Sequence, residues 1–163
     1  MTFRRLLLLL AVATAAALPA AAGAKEGGVT IVRVFTGWRD ADSFKRISEY
    51  FTNRENTGGE TVLRSHPDQR AGYYFLVRAA NPGTPLAVRL SVQMVAPTDA
   101  KPRTYDFAAK LKSGQNVLNL GLTGPDWPDA KANPVAWKLS LLAADGRLLA
   151  SEESYLWEKP ASP

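Results

Sequence analysis

From residue 86 to residue 95 the chain alternates without a break. Leu86, Val88, Leu90, Val92 and Met94 are apolar, and Ala87, Arg89, Ser91 and Gln93 lie between them. A period of two marks a strand with one buried face. The same period recurs at Tyr105, Phe107, Ala109 and Leu111, at Leu118, Leu120 and Leu122, and at Val135, Trp137, Leu139 and Leu141. Val29 to Trp38 is rich in β-branched and aromatic residues and predicts an opening strand. Glu60 to Ser65 predicts a short, weak one. One stretch breaks the rule. Behind the capping candidates Asp40, Asp42 and Ser43, the residues Phe44, Ile47 and Phe51 follow at helical spacing, with Lys45 and Glu49 one turn apart. That pattern predicts a short amphipathic helix near 43–51 that turns Phe44 and Phe51 into the core.

Register assigns the faces. If 71–79 and 86–95 form a hairpin around Asn81-Pro82-Gly83-Thr84, Ala79 meets Leu86, Val77 meets Val88, Phe75 meets Leu90 and Tyr73 meets Val92. Opposed residues share a face, so every inward pair is then apolar or aromatic. Tyr74, Leu76, Arg78, Arg89, Ser91 and Gln93 point outward. A last hairpin turns at Asp145-Gly146, read as a two-residue turn of the primed type, and returns as Leu148 to Trp157. It sets Lys138 opposite Glu153, a favourable pair, and Glu152 opposite Leu139 on the apolar face. Burying a lone carboxylate is costly, so a β-bulge at Glu152-Glu153 is expected, turning Tyr155 and Trp157 inward. The chain thus reads as all-β, an antiparallel sandwich of seven to eight strands with one short helix.

The first 24 residues do not belong to that domain. Arg4 and Arg5 precede an apolar run from Leu6 to Leu18, Pro19 ends it, and Ala22-Gly23-Ala24 supplies small residues for a peptidase. This reads as a secretory signal peptide, and the run is too short for a spanning helix of about 20 residues. Cleavage after Ala24 leaves a single domain at 25–158, a flexible tail at 159–163 and no membrane span. The net charge also changes meaning. The full chain carries 20 basic and 15 acidic residues. The leader holds two arginines and no acid, which leaves +3 over 139 residues. That is ordinary for an exported domain, and no nucleic-acid partner is implied.

Little catalytic chemistry is visible. There is no cysteine, so a disulfide scaffold and a thiol nucleophile are both excluded. His66 is the only histidine, in a Ser65-His66-Pro67-Asp68 turn. The sequence contains no G-x-S-x-G elbow and no HExxH helix. The acid pairs Asp40/Asp42, Asp126/Asp129 and Glu152/Glu153 each have a structural use in caps, turns or edge strands. Asp126 and Asp129 offer calcium only two carboxylates, where it takes ~6–8 oxygens. No catalytic residue, metal or cofactor is expected. Two aromatics fall outside the core pattern: Trp127, in the proline-stiffened loop 124–134, and Tyr74, facing outward beside Arg89. An exposed ring near polar groups suits a sugar face or a protein anchor. Trp127 has the alternative of folding back to cap the end of the sandwich.

Alternation along 29–157, Trp137 in a late core strand and the Asp145-Gly146 hairpin make the chain resemble the immunoglobulin-like/fibronectin type III-like superfamily of bacterial envelope domains. Its Tyr155-Leu156-Trp157 ending is similar to that of small secreted bacterial proteins. The resemblance implies a sandwich and carries no catalytic residues. The expectation is an exported, non-catalytic recognition or accessory domain, periplasmic or extracellular, whose partner is an envelope protein or glycan. Its candidate binding residues are Trp127, Tyr74 and Arg89. A carbohydrate-binding module, a small glycoside-type hydrolase using Glu152 or Asp126/Asp129, and assembly by strand addition are the alternatives.

Overall fold

Two four-stranded sheets pack face to face in the computed structural model, which describes residues 28–158. The predicted leader and tail lie outside the described residues. The strands are β1 (Thr30–Arg39), β2 (Thr61–Arg64), β3 (Gly72–Asn81), β4 (Leu86–Ala96), β5 (Asp99–Leu111), β6 (Gly114–Thr123), β7 (Ala136–Ala143) and β8 (Leu148–Glu153). One sheet has the order β1-β3-β6-β2 and the other β5-β4-β7-β8. Every pairing is antiparallel except β2 with β6. The fold is a β-sandwich, as the alternation predicts.

The inward faces are also as predicted. Tyr73, Phe75, Val77 and Ala79 of β3 and Leu118, Leu120 and Leu122 of β6 meet Val88, Leu90, Val92 and Met94 of β4 and Leu139 and Leu141 of β7, all buried. The predicted β3–β4 hairpin does not form. β3 pairs with β1 and β6, whereas β4 pairs with β5 and β7, so the chain crosses between sheets at 81–85. Buried Asn81 fixes the crossing: its Nδ2 donates to the carbonyls of Thr84 (2.8 Å) and Lys112 (3.3 Å), and its Oδ1 accepts the Gly83 amide. A hairpin and a crossing arch turn the same residues inward. Alternation therefore identifies the core without choosing between them.

The last hairpin needs two corrections that cancel. Gly146 has φ +85° and neither Ala144 nor Asp145 has a positive φ, so the turn is not of the primed type. Its loop is Ala144-Asp145-Gly146, closed by Gly146 N–H to Ala143 O and Ala143 N–H to Arg147 O, each 2.9 Å. The extra residue shifts the register by one, and a bulge between Leu141 and Leu142 shifts it back. Lys138 consequently lies opposite Glu153, as predicted, and their side chains pair at 3.2 Å. Glu152 does lie opposite Leu139, yet it is exposed, because it stands near the end of edge strand β8. The expected bulge at Glu152-Glu153 is absent since no carboxylate is buried there. β8 stops at Glu153, and a single helical turn, α2 (Tyr155–Glu158), replaces the predicted strand end.

The predicted helix near 43–51 is split. A 3-10 helix spans Ala41–Phe44, residues 45 and 46 are extended, and α1 runs Ile47–Thr52. This segment lies over the outer face of the β1-β3-β6-β2 sheet. Phe44 rests on Tyr74 there, outside the core, and Phe51 points into solvent.

Candidate functional site

The outer face of that sheet carries an arginine–carboxylate network under residues 41–57. Tyr74 lies flat across β6, where Gly121 makes room; a β-carbon at 121 would stand 2.5 Å from the Tyr74 ring. Arg64, on β2, reaches the same spot. Its Nε donates to the Tyr74 hydroxyl (2.9 Å), and that hydroxyl donates to the Arg70 carbonyl (2.6 Å). Both remaining guanidinium nitrogens of Arg64 donate to Glu55. The Phe44 ring sits 4.6 Å from that of Tyr74, with the guanidinium carbons of Arg64 and Arg39 at 5.4 and 5.6 Å. Buried tyrosine and arginine are thus fully partnered, as polar groups removed from water must be.

Glu49 is the second anchor. It is buried on α1 and accepts the Arg70 guanidinium (2.6 Å), the Asn56 amide (3.1 Å) and the Arg46 amide (3.3 Å). One carboxylate therefore ties both ends of the 46–56 segment to Arg70, two residues before β3. The Asn56 amide bond and Arg70 hold Glu49 below its ordinary pKa of 4.5. Arg64 does the same for Glu55. Burial raises Tyr74 above its ordinary value, against the pull of Arg64. A cleft of about 250 Å³ opens beside the network, lined by Arg39, Phe44, Arg46, Glu55, Thr57 and Val62 among others.

The network has an outer consequence. Since α1 turns Glu49 inward, its other faces turn outward, and Ile47 is 80% exposed, Tyr50 68% and Phe51 84%. These residues stand at i, i+3 and i+4, so they form one apolar tip. The helix is inside out relative to an ordinary surface helix, which buries its apolar stripe. Around the tip lie exposed Lys45, Arg46 and Arg54. The Lys45 ammonium sits 5.1 Å from the Tyr50 ring centroid and 3.6 Å from Asp42.

The sequence-predicted binding residues do not come together. Tyr74 does face outward, but it is 1% exposed beneath Phe44 and Arg64. Trp127 is 4% exposed, packs against Tyr73 at 5.2 Å and caps the end of the sandwich, its Nε1 without a hydrogen-bond partner. Neither ring offers a free stacking face. Arg89 is exposed on the outer face of the opposite sheet, away from Tyr74. Among the acids, Asp126 meets His66 Nε2 at 3.1 Å, and Asp129 accepts the Lys131 amide. Tyr105 adjoins this pair: burial raises its pKa, Asp126 adds to the rise, and Arg103 opposes it. The Ser65 and Thr123 hydroxyls are committed elsewhere. Ser65 Oγ accepts the Thr123 amide, and Thr123 Oγ1 donates to the His66 carbonyl. Among the described residues no three His, Cys, Asp or Glu side chains gather as a metal site would require.

No family model matches the chain. No curated protein matches it either. It is similar to an immunoglobulin-like protein from Pseudomonas aeruginosa of known crystal structure, with 19% identity over 80% of this chain and 97% of that one, at a TM-score of 0.34. The sandwich assignment itself rests on the strand order and register above.

Proposed function

We propose that this chain is a non-catalytic recognition or accessory domain of the cell envelope, and that it binds through the 41–56 lobe. The observation that carries the reading is the inverted helix: α1 buries a glutamate and displays Ile47, Tyr50 and Phe51. Large apolar side chains exposed side by side mark interaction surfaces. The Glu49–Arg70 and Glu55–Arg64 pairs support the reading further, because they hold the lobe against the sheet and so fix the direction in which its apolar tip points. Export rests on the leader sequence. The non-catalytic reading rests on a lone histidine–carboxylate pair beside which the Ser65 and Thr123 hydroxyls are engaged with backbone groups and the Tyr105 hydroxyl with Arg103 and Asp126.

Site-specific photocrosslinking in living cells tests this. Benzoylphenylalanine replaces Phe51 in one strain and Arg89, on the opposite sheet, in another. Adducts at position 51 and none at position 89 are expected. An absence of adducts at 51, or equal labelling at both, overturns the lobe as the recognition surface.

A further inference from the structure

We infer that α1 docks on the surface of an anionic lipid bilayer, inserting Ile47 and Phe51 among the lipids. This rests on the lobe being the recognition surface. Three features point to lipid over a protein partner. The first is shape and size. The tip is convex, and its three side chains present on the order of 450 Å² at ~150–250 Å² per large side chain. A stable protein interface needs about 800 Å² from each partner. A lipid interface accepts a small apolar projection without a matching groove, as it does for interfacial helices.

The second is charge. Three acids of the lobe are paired with cations, Asp42 with Lys45, Glu49 with Arg70 and Glu55 with Arg64; Asp40 accepts the Trp38 indole N–H at 3.1 Å and keeps its charge. Arg54 is exposed, and its side chain has no ion pair or hydrogen bond among the described residues. Arg46 is exposed as well, with its Nη2 donating to the Thr57 carbonyl (3.4 Å), and Arg33 and Arg78 flank the 44%-exposed Phe35 farther along the same sheet, at 5.3 and 5.9 Å. The cations so placed complement lipid phosphates. The third is Tyr50. Its ring is part of the apolar tip and has the Lys45 ammonium 5.1 Å from its centroid, and amphipathic aromatics favour headgroup depth. Among the described residues no helix is long and apolar enough to cross a membrane.

The test is co-sedimentation with vesicles of phosphatidylcholine alone and of phosphatidylcholine mixed with phosphatidylglycerol. Wild-type chain and variants are recovered after export and checked by intact mass to carry the same N-terminus. Binding to the mixed vesicles is expected at least tenfold above the neutral ones, falling with salt, since each cation near the surface contributes about fivefold. The double variant Ile47→Asp/Phe51→Asp is expected to lose at least tenfold. Both positions are solvent-exposed, so the fold survives, and near-UV circular dichroism checks it. Arg54→Gln is expected to lose about fivefold on the anionic vesicles only. Failure to bind anionic vesicles, or binding indifferent to the double variant, overturns the inference. So does a dimer in sedimentation velocity that the double variant abolishes, since the tip then meets a second copy. If position 51 still crosslinks to a protein while vesicles do not bind, lipid docking fails and the recognition reading stands. If neither occurs, both fail.

Discussion

The sandwich and the lobe on its outer face obey opposite rules. Between the sheets, Phe75, Leu90, Val92, Leu120, Leu139 and Leu141 are fully buried and uncharged. In the lobe the sheet-facing side carries charge beside the Phe44–Tyr74 ring contact, Glu49 against Arg70 and Arg64 against Glu55, and apolar side chains face water at Ile47, Tyr50 and Phe51. Burial of apolar surface stabilises without direction, so it suits a core. Ion pairs bridged by backbone amides are directional and contribute less net stability once desolvation is counted. They suit a segment whose position matters more than its cohesion. Stability and display are thus assigned to different parts of one short chain.

Two truncations separate the core from the lobe most widely. Leu90→Ala, in the core, is expected to cost about 2–5 kcal/mol. Phe51→Ala, on the tip, is expected to stay within about 0.5 kcal/mol, as exposed positions do. Urea denaturation reads both. Similar losses from the two would erase the distinction between core and lobe. Tyr74→Phe is a smaller and more local perturbation. It leaves the ring on Phe44 and removes the oxygen that accepts from Arg64 and donates to Arg70, for an expected loss of about 1–3 kcal/mol. An unchanged urea midpoint would mean that the network adds nothing to the sheet beneath it.

The core was legible because alternation reports faces, and faces survive errors in pairing. Val77 and Val88 are buried although their strands lie in different sheets. The lobe and the Trp127 loop were not legible, for three separate reasons. Phe44, Ile47 and Phe51 lie on one helical stripe only if the helix is continuous, and residues 45 and 46 are extended. Tyr74 occupies an outward register position, but what covers it comes from residues 44 and 64, which its own strand cannot announce. Trp127 sits in a loop without periodicity, so its burial depends wholly on tertiary packing against Tyr73. One signal was available. Gly121 stands between Leu120 and Leu122 in β6, and a strand glycine often marks close approach by another group; here it is the Tyr74 ring.

The smallest expected effect concerns the lobe alone and has a defined sign. Glu49 and Glu55 are held below their ordinary value of 4.5, mainly by the Asn56 amide and by Arg64 respectively. A released lobe would bind protons at the ordinary value, and the docked lobe resists doing so. Docking is therefore fully favoured above that range. It weakens as pH falls through 4.5 and loses this contribution below the lowered folded values. The amides of Arg46 and Asn56 donate directly to Glu49, so their proton shifts report its charge. In an NMR titration both are expected to inflect together, below 4.5, while core amides of β3 and β4 stay unmoved through that step. Glu49→Gln is expected to remove the inflection. An inflection at or above 4.5, or one shared by the core, would mean that the carboxylate does not hold the lobe independently of the sandwich.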